Sequence, residues 1–312
     1  MAKYKKFVSV VAYMCNQENN IESFIEGVMG KCEDLFDKCE LILVNDASTD
    51  NSLDKARQYL KENQKSYMVS IARLATRQGL EPSMNAGRDM AIGDFVFEFD
   101  DMLVDYDSSV IEQAFEECLK GSDVVSVSSN TGIKLSSRIF YGIYNRFSRT
   151  QNPIGNETFR LLSRRAVNRV KAMGVYIPYR KAVYMNSGLK VSGITYASTL
   201  GRGSIHSVKK QRSELAIDSF IYFTNVMEKI SLAISVVFFV VAIFVVIYVI
   251  HSYLMDEHLE SGWVSIMGFL SMAFVGVFSL LTIILKYLAV LVNLVFKQQR
   301  YLIEDIEKIA GN

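Results

Sequence analysis

The sequence lacks charge imbalance, is poor in histidine and has no paired-cysteine pattern. Its 34 Lys and Arg stand against 33 Asp and Glu, a formal net charge of +1, without the strongly basic balance of a dedicated nucleic-acid binder. The three histidines, His206, His251 and His258, fall outside every polar cluster described below, so no histidine base is expected there. Cys15, Cys32, Cys39 and Cys118 show no CxxC spacing, and read as free, small apolar side chains in a reducing compartment. No GxGxxG and no GxxxxGK(S/T) follows any predicted strand, which disfavours a dinucleotide site and a P-loop. The opening MAKYKKFVSV has no cleavable-leader pattern.

Apolar residues make up 50% of the chain, and mean hydropathy is +0.17. They are distributed unevenly. Residues 230–250 (ISLAISVVFFVVAIFVVIYVI) and 262–285 (GWVSIMGFLSMAFVGVFSLLTIIL) contain no charged residue. Each has the roughly 20 residues that cross a hydrocarbon core of about 30 Å, so two spanning helices are expected. Arg202, Lys209, Lys210, Arg212 and Lys229 precede the first run, and Lys297, Arg300 and Lys308 follow the second. The loop 251–261 carries Asp256, Glu257 and Glu260 without Lys or Arg. The positive-inside rule then puts both ends in the cytoplasm and the loop outside, in a multi-pass protein of the inner (plasma) membrane.

Residues 1–132 alternate short apolar runs with helix-like stretches, the pattern of a mostly parallel α/β sheet. Strands are predicted at Phe7–Tyr13, Leu41–Val44, Tyr67–Ala72, Phe95–Phe99 and Asp123–Ser128, with helices at Ser52–Leu60, Ser83–Ala91 and Ser108–Cys118. Ligands of such sheets bind beyond the carboxyl ends of the strands. Those positions are polar: Asn16, Gln17 and Glu18; Asn45, Asp46, Ser48, Thr49 and Asp50; Asp100, Asp101 and Asp105. Asn45–Asp50 could cap the following helix, and Asp100 with Asp101 could be a solvated turn. Three on one rim ask for a cation or a hydrogen-bonding ligand.

The stretches VSVVAYMCNQENNI, LILVNDASTDNS and RQGLEPSMNAGRDMAIGDFVFEFDDM, in that order, resemble the inverting family-two glycosyltransferases of GT-A fold. NETFRLLSRRAV, the two apolar runs and FKQQRYLI resemble one branch, the polyprenyl-phosphate glycosyltransferases related to dolichyl-phosphate mannose synthase. The resemblance implies a nucleotide-sugar site at Tyr13, Asn16, Glu18, Asp46, Ser48, Gly79 and Asp100. It implies catalytic roles for Asp100, Asp101 and Glu157, with Asp100 and Asp101 holding Mg²⁺ or Mn²⁺. The second Asp of the family's Asp-X-Asp is Met102 here, and the Asp expected before Phe-Arg-Leu is Thr158. Arg138, Arg160 and Arg164 are the expected cations for the acceptor phosphate, since Arg contacts phosphate bidentately.

The expected organisation is a GT-A core at 1–132 and an acceptor-side part at 133–229 with basic amphipathic interfacial helices. Spans follow at 230–250 and 262–285 around the loop 251–261, with a cytoplasmic tail at 286–312. Expected partners are a nucleotide sugar, polyprenyl phosphate, membrane lipid, a separate flippase and downstream transferase, and a second copy of the chain; no nucleic acid is expected. The QxxRW of processive synthases is absent. Alternatives are a transferase acting on a non-lipid hydroxyl and a non-catalytic membrane subunit of the same fold.

Overall fold

A computed structural model describes residues 3–63, 66–130, 157–173, 179–199, 262–296 and 301–309, with scattered helical residues within 141–146 and 233–247. The chain divides into two compact units. The first holds Met1–Arg146, Thr150–Ala216 and Gln298–Asn312; the second holds Phe147–Arg149 and Ile217–Lys297.

In the first unit the strands are β1 (Tyr4–Met14), β2 (Phe36–Asn45), β3 (Met68–Leu74), β4 (Phe95–Phe99), β5 (Val124–Ser129), β6 (Glu157–Ser163), β7 (Val191–Tyr196) and β8 (Ile303–Ile309). They form an eight-stranded sheet in the order β7-β5-β6-β4-β1-β2-β3-β8. β1 pairs in parallel with β2 and β4, and β2 with β3. β6 runs antiparallel between β4 and β5, and β8 runs antiparallel along β3. The helices are α1 (Ile21–Phe24), continued by a π-helical turn (Ile25–Met29) into α2 (Gly30–Leu35), then α3 (Ser52–Glu62), α4 (Leu80–Met90), α5 (Ser109–Leu119), α6 (Arg164–Ala172) and α7 (Arg180–Met185).

Strand alternation sends Phe97, Phe99 and Phe159 into the main hydrophobic cluster with Phe24, Phe36 and Phe115. Phe99 and Phe159 stack at 4.8 Å across β4 and β6, and Phe36 meets Phe115 edge-on at 4.7 Å. The four cysteines are buried and free. α4 is buried on nearly every side, because Gly87 lets its backbone approach β1 and β2. A Cβ there would fall inside the contact distance of Val11 Cγ1 and lie 2.7 Å from Val44 Cγ2.

The predicted strands are present, but β2 begins at Phe36 rather than Leu41. Charge hid its first half: Glu40 is buried and accepts hydrogen bonds from Ser9 Oγ and from Ile92 N at 2.8 Å. β6 and β7 lie within the span read as an acceptor-side part, and they complete the central sheet. The tail holds β8, an edge strand whose Glu307 and Asp305 meet Arg57 at 2.7 Å and Arg73 at 3.2 Å. Such charge on an edge discourages further pairing.

The second unit contains α8 (Trp263–Phe296), 34 residues long, which runs past the predicted end at Leu285. Ile266, Leu270, Met272, Phe274, Val275, Phe278, Ile284 and Leu285 on it are exposed. Among the described residues no helix is long and apolar enough to cross a membrane; the described side chains of α8 run unbroken only over 272–288. The first apolar run is described only at scattered helical positions, and the loop 251–261 lies outside the described residues.

Gly87→Ala is expected to cost about 1–3 kcal/mol, the usual penalty for overpacking, read as a lower midpoint in urea unfolding followed by far-UV circular dichroism.

Candidate active site

The carboxyl ends of β1, β2 and β4 meet at one rim, because the three strands are parallel neighbours in register. β1 and β2 leave the sheet through residues with left-handed backbone, Asn16 (φ 55°) and Ala47 (φ 47°). Non-glycine residues in this conformation carry strain and cluster at functional sites. The two loops are tied together. Asn16 N donates to Ser48 Oγ at 3.2 Å, and Thr49 N donates to Asn16 Oδ1 at 2.9 Å. Glu18 N donates to Asp50 Oδ2 at 3.1 Å, while Asn51 N donates to Glu18 Oε2 at 3.3 Å.

Asp46 is the centre of this end. Fully buried, its carboxylate accepts from Gln78 N at 2.6 Å, Gly79 N at 2.9 Å and Tyr13 Oη at 2.9 Å. Burial, and then the Asp46 charge, push the Tyr13 hydroxyl far above its ordinary range, so it stays a donor. Gly79 reaches the carboxylate through a φ of 97° as it caps α4. Sequence reasoning placed Tyr13, Asn16, Glu18, Asp46, Ser48 and Gly79 in one site, and the fold does bring them together. Gln78 was missed. It also fixes Leu302, donating from Nε2 to its carbonyl at 2.7 Å and accepting from its N at 2.8 Å.

Behind the rim lies a buried ion network. Glu98, inside β4 on the face opposite Phe97 and Phe99, accepts from Arg160 Nη1 at 3.0 Å, Arg180 Nη1 at 2.7 Å and Tyr184 Oη at 2.7 Å. Arg160 lies opposite Glu98 in the β4–β6 register. Asp100 accepts from Arg160 Nη2 at 3.0 Å on Oδ2 and from Arg180 Nη2 at 2.7 Å on Oδ1. Glu157 takes Arg160 Nε at 3.0 Å, and Glu81 takes Arg180 Nε at 2.8 Å. Arg88 donates to Tyr184 Oη at 3.1 Å. Burial opposes ionisation of Asp100, but Arg160, then Arg180 and Lys181, hold its carboxyl far below the usual range.

This arrangement corrects part of the expected site. Arg160 is only 1% exposed and its guanidinium is spent on three carboxylates, so it presents nothing to a lipid phosphate. Arg164 lies at the other end of β4 from Asp100, donating to the Gly93 carbonyl. Arg138 lies outside the described residues. The expected metal pair also fails to converge. Both Asp100 oxygens face guanidinium groups, and Asp101 Oδ1 accepts from Leu103 N at 3.2 Å and Gln17 Nε2 at 3.4 Å. Met102 is fully buried in the hydrophobic cluster. Asp105 accepts from Tyr196 at 2.6 Å and Ser198 at 2.8 Å. Among the described residues no three Asp, Glu, His or Cys are placed to hold a metal ion. As arranged, these donors do not make a divalent-cation site. Stripping one partner from such a buried pair costs about 3–5 kcal/mol.

Glu98 interrupts the apolar FVFEF, and Arg160 interrupts FRLL. Opposite charges inside two apolar strands were the signal that the strands pair. Arg180, from a stretch without motif, gave none.

The glycosyl transferase family 2 profile matches residues 9–171, just over half of the chain. The chain belongs to that family. A Synechocystis protein described as an uncharacterized glycosyltransferase is 26% identical over 195 residues, covering 61% of this chain and 60% of the relative. The chain thus spans under two thirds of that relative's length. YkcC of Bacillus subtilis, also described as an uncharacterized glycosyltransferase, is 21% identical over 266 residues, covering 83% of this chain and 81% of its own. Among solved structures, a Pyrobaculum calidifontis mannosyltransferase with GDP-mannose and Mn²⁺ aligns at TM-score 0.49 and 16% identity, covering 70% and 64% of the two chains. Glucosyl-3-phosphoglycerate synthase of Mycobacterium tuberculosis, with Mn²⁺, UDP-glucose and phosphoglyceric acid, aligns at TM-score 0.49 and 14% identity, covering 69% and 78%.

Because Asp100 has a depressed carboxyl pKa, its stabilising contribution is present above the unfolded value of about 3.9 and is lost as pH falls toward the folded one. Stability should therefore fall steeply below about pH 4. Asp100→Asn should be less stable at neutral pH and show a flatter acid limb, measured by urea unfolding across pH. Asp46→Ala leaves three donors without their acceptor, at about 1–3 kcal/mol for each buried group unmet; weaker nucleotide binding by calorimetry is the expected readout.

Proposed function

We propose that this family-two chain transfers a sugar from a nucleoside diphosphate donor, a uridine one, to polyprenyl phosphate with inversion at the anomeric carbon. The observation that carries the lipid acceptor is α8, a 34-residue helix with exposed apolar side chains among its described residues from Ile266 to Leu291, in a chain whose other unit has the strand-end site. Two spans, at 230–250 and 262–285, would tether the site to the plasma membrane with both ends cytoplasmic. The acceptor chemistry agrees. A phosphate monoester has a second pKa near about 6 and is already anionic at neutral pH, so it needs no strong base. Asp100 and Asp105 are both engaged by hydrogen-bond donors. The exposed Arg146, with Lys134, Arg138 and Arg149, is the basic stretch that would meet headgroups. The product would be a lipid-linked sugar for cell-surface glycan modification, moved outward by a separate flippase.

One observation favours the second reading, a hydroxyl acceptor. Glu157 Oε1, buried at the start of β6, has no hydrogen-bond partner among the described residues.

Purified chain, undecaprenyl phosphate and a panel of radiolabelled nucleotide sugars, with and without Mn²⁺, test the proposal. Label should enter the organic phase from one donor, and Glu157→Gln should leave the rate within about tenfold, less than the 10²–10⁴-fold worth of a lost general base. Label found only in water-soluble product, and abolished in Glu157→Gln, would move the assignment to a hydroxyl acceptor.

A further inference from the structure

Asp100 stands at the end of β4, where a cation would be sought, and its two oxygens are taken by the protein's own cations. Arg180 lies 2.7 Å from Oδ1 and Arg160 lies 3.0 Å from Oδ2. Neither guanidinium is a loose surface group. Arg180 is also held by Glu81 and Glu98, and Arg160 by Glu98 and Glu157. They expose 0% and 1% of their surface, so neither could turn to water if an ion displaced it.

The charges close on themselves. Glu81, Glu98, Asp100 and Glu157 face Arg88, Arg160 and Arg180, and Lys181, also buried, acts on Asp100. Asp89 also lies 3.9 Å from Arg88, so five acidic groups stand against four basic ones. A divalent ion added to this interior would still leave net positive charge uncompensated where desolvation penalises it most. Met102, two residues on, is inside the hydrophobic cluster and contributes no ligand atom from its place there.

Resting on the nucleotide-sugar reading above, we propose that this chain holds its donor without a divalent cation. Arg160 and Arg180, as fixed parts of the fold, occupy the two Asp100 oxygens that an ion would otherwise take. They act as positioning residues: they set the carboxylate and the local field, and do not themselves grip the diphosphate.

The test is calorimetry of UDP and GDP binding to the full chain in excess EDTA and then in Mn²⁺, alongside electron paramagnetic resonance of Mn²⁺ added to the protein alone. The proposal expects one nucleotide to bind with a Kd that differs by less than about threefold between the two conditions, and no protein-bound Mn²⁺ signal. Binding that appears or tightens about tenfold or more with Mn²⁺, or a stoichiometric bound Mn²⁺, overturns it while leaving the nucleotide-sugar reading intact. No nucleotide binding in either condition overturns that reading and the proposal together. Arg180→Leu frees one Asp100 oxygen and should raise Mn²⁺ affinity at least about tenfold. Should that variant not fold, the wild-type measurements decide alone.

Discussion

Glu98 is a fully buried charge inside a strand whose other residues are all apolar. An isolated carboxylate there would be untenable, and much of the surrounding architecture answers that constraint. Arg160 meets it from the antiparallel β6, Arg180 from the start of α7, and Tyr184 from the end of the same short helix. Arg88 of α4 reaches the group through Tyr184, and the Arg160 guanidinium lies 5.6 Å from the centre of that ring. Elements far apart in sequence are thereby held to one face of the sheet by directional bonds, which specify geometry more narrowly than apolar contact does.

The rim follows from this frame. Asp100 is one residue past β4 and shares both arginines with Glu98, so its position is set from behind the sheet. Asp46 is set from the other side, by the backbone of Gln78 and Gly79 and the hydroxyl of Tyr13. The two carboxylates hold different partners. Asp46 gathers neutral donors and organises loops, whereas Asp100 gathers cations. The left-handed residues Asn16 and Ala47 are tolerated because the cross-loop bonds around Ser48, Thr49 and Asp50 over-determine their backbone.

Much of this was legible in the sequence. The parallel strands showed as apolar runs, and their polar ends marked the rim, because a doubly covered sheet leaves function only at its edges. β6 was hidden, since its Arg160 and Glu157 read as surface charge until a partner strand is known. Arg160 and Arg164 differ in what hid their surroundings: two of the three carboxylates around Arg160, Glu98 and Asp100, come from a separate segment, and nothing near Arg164 marks the end of β4 at which it sits. β8 was obscured by its composition. IEDIEKI is charged enough to pass for a solvated tail, and only pairing with β3 half-buries Ile303 and Ile309, while Ile306 stays exposed.

β8 also orders events in time. Seven strands of the sheet are complete by Tyr196, and the eighth begins at Ile303, after the whole of the second unit. During synthesis the edge of β3 stays open while more than a hundred intervening residues emerge. Gln78 waits equally long for Leu302, its partner on both amide atoms. The loop that donates to Asp46 therefore takes its final bracing last, once the distal segment has returned to the sheet, and a ribosome-bound or shortened chain carries that loop without its outer support.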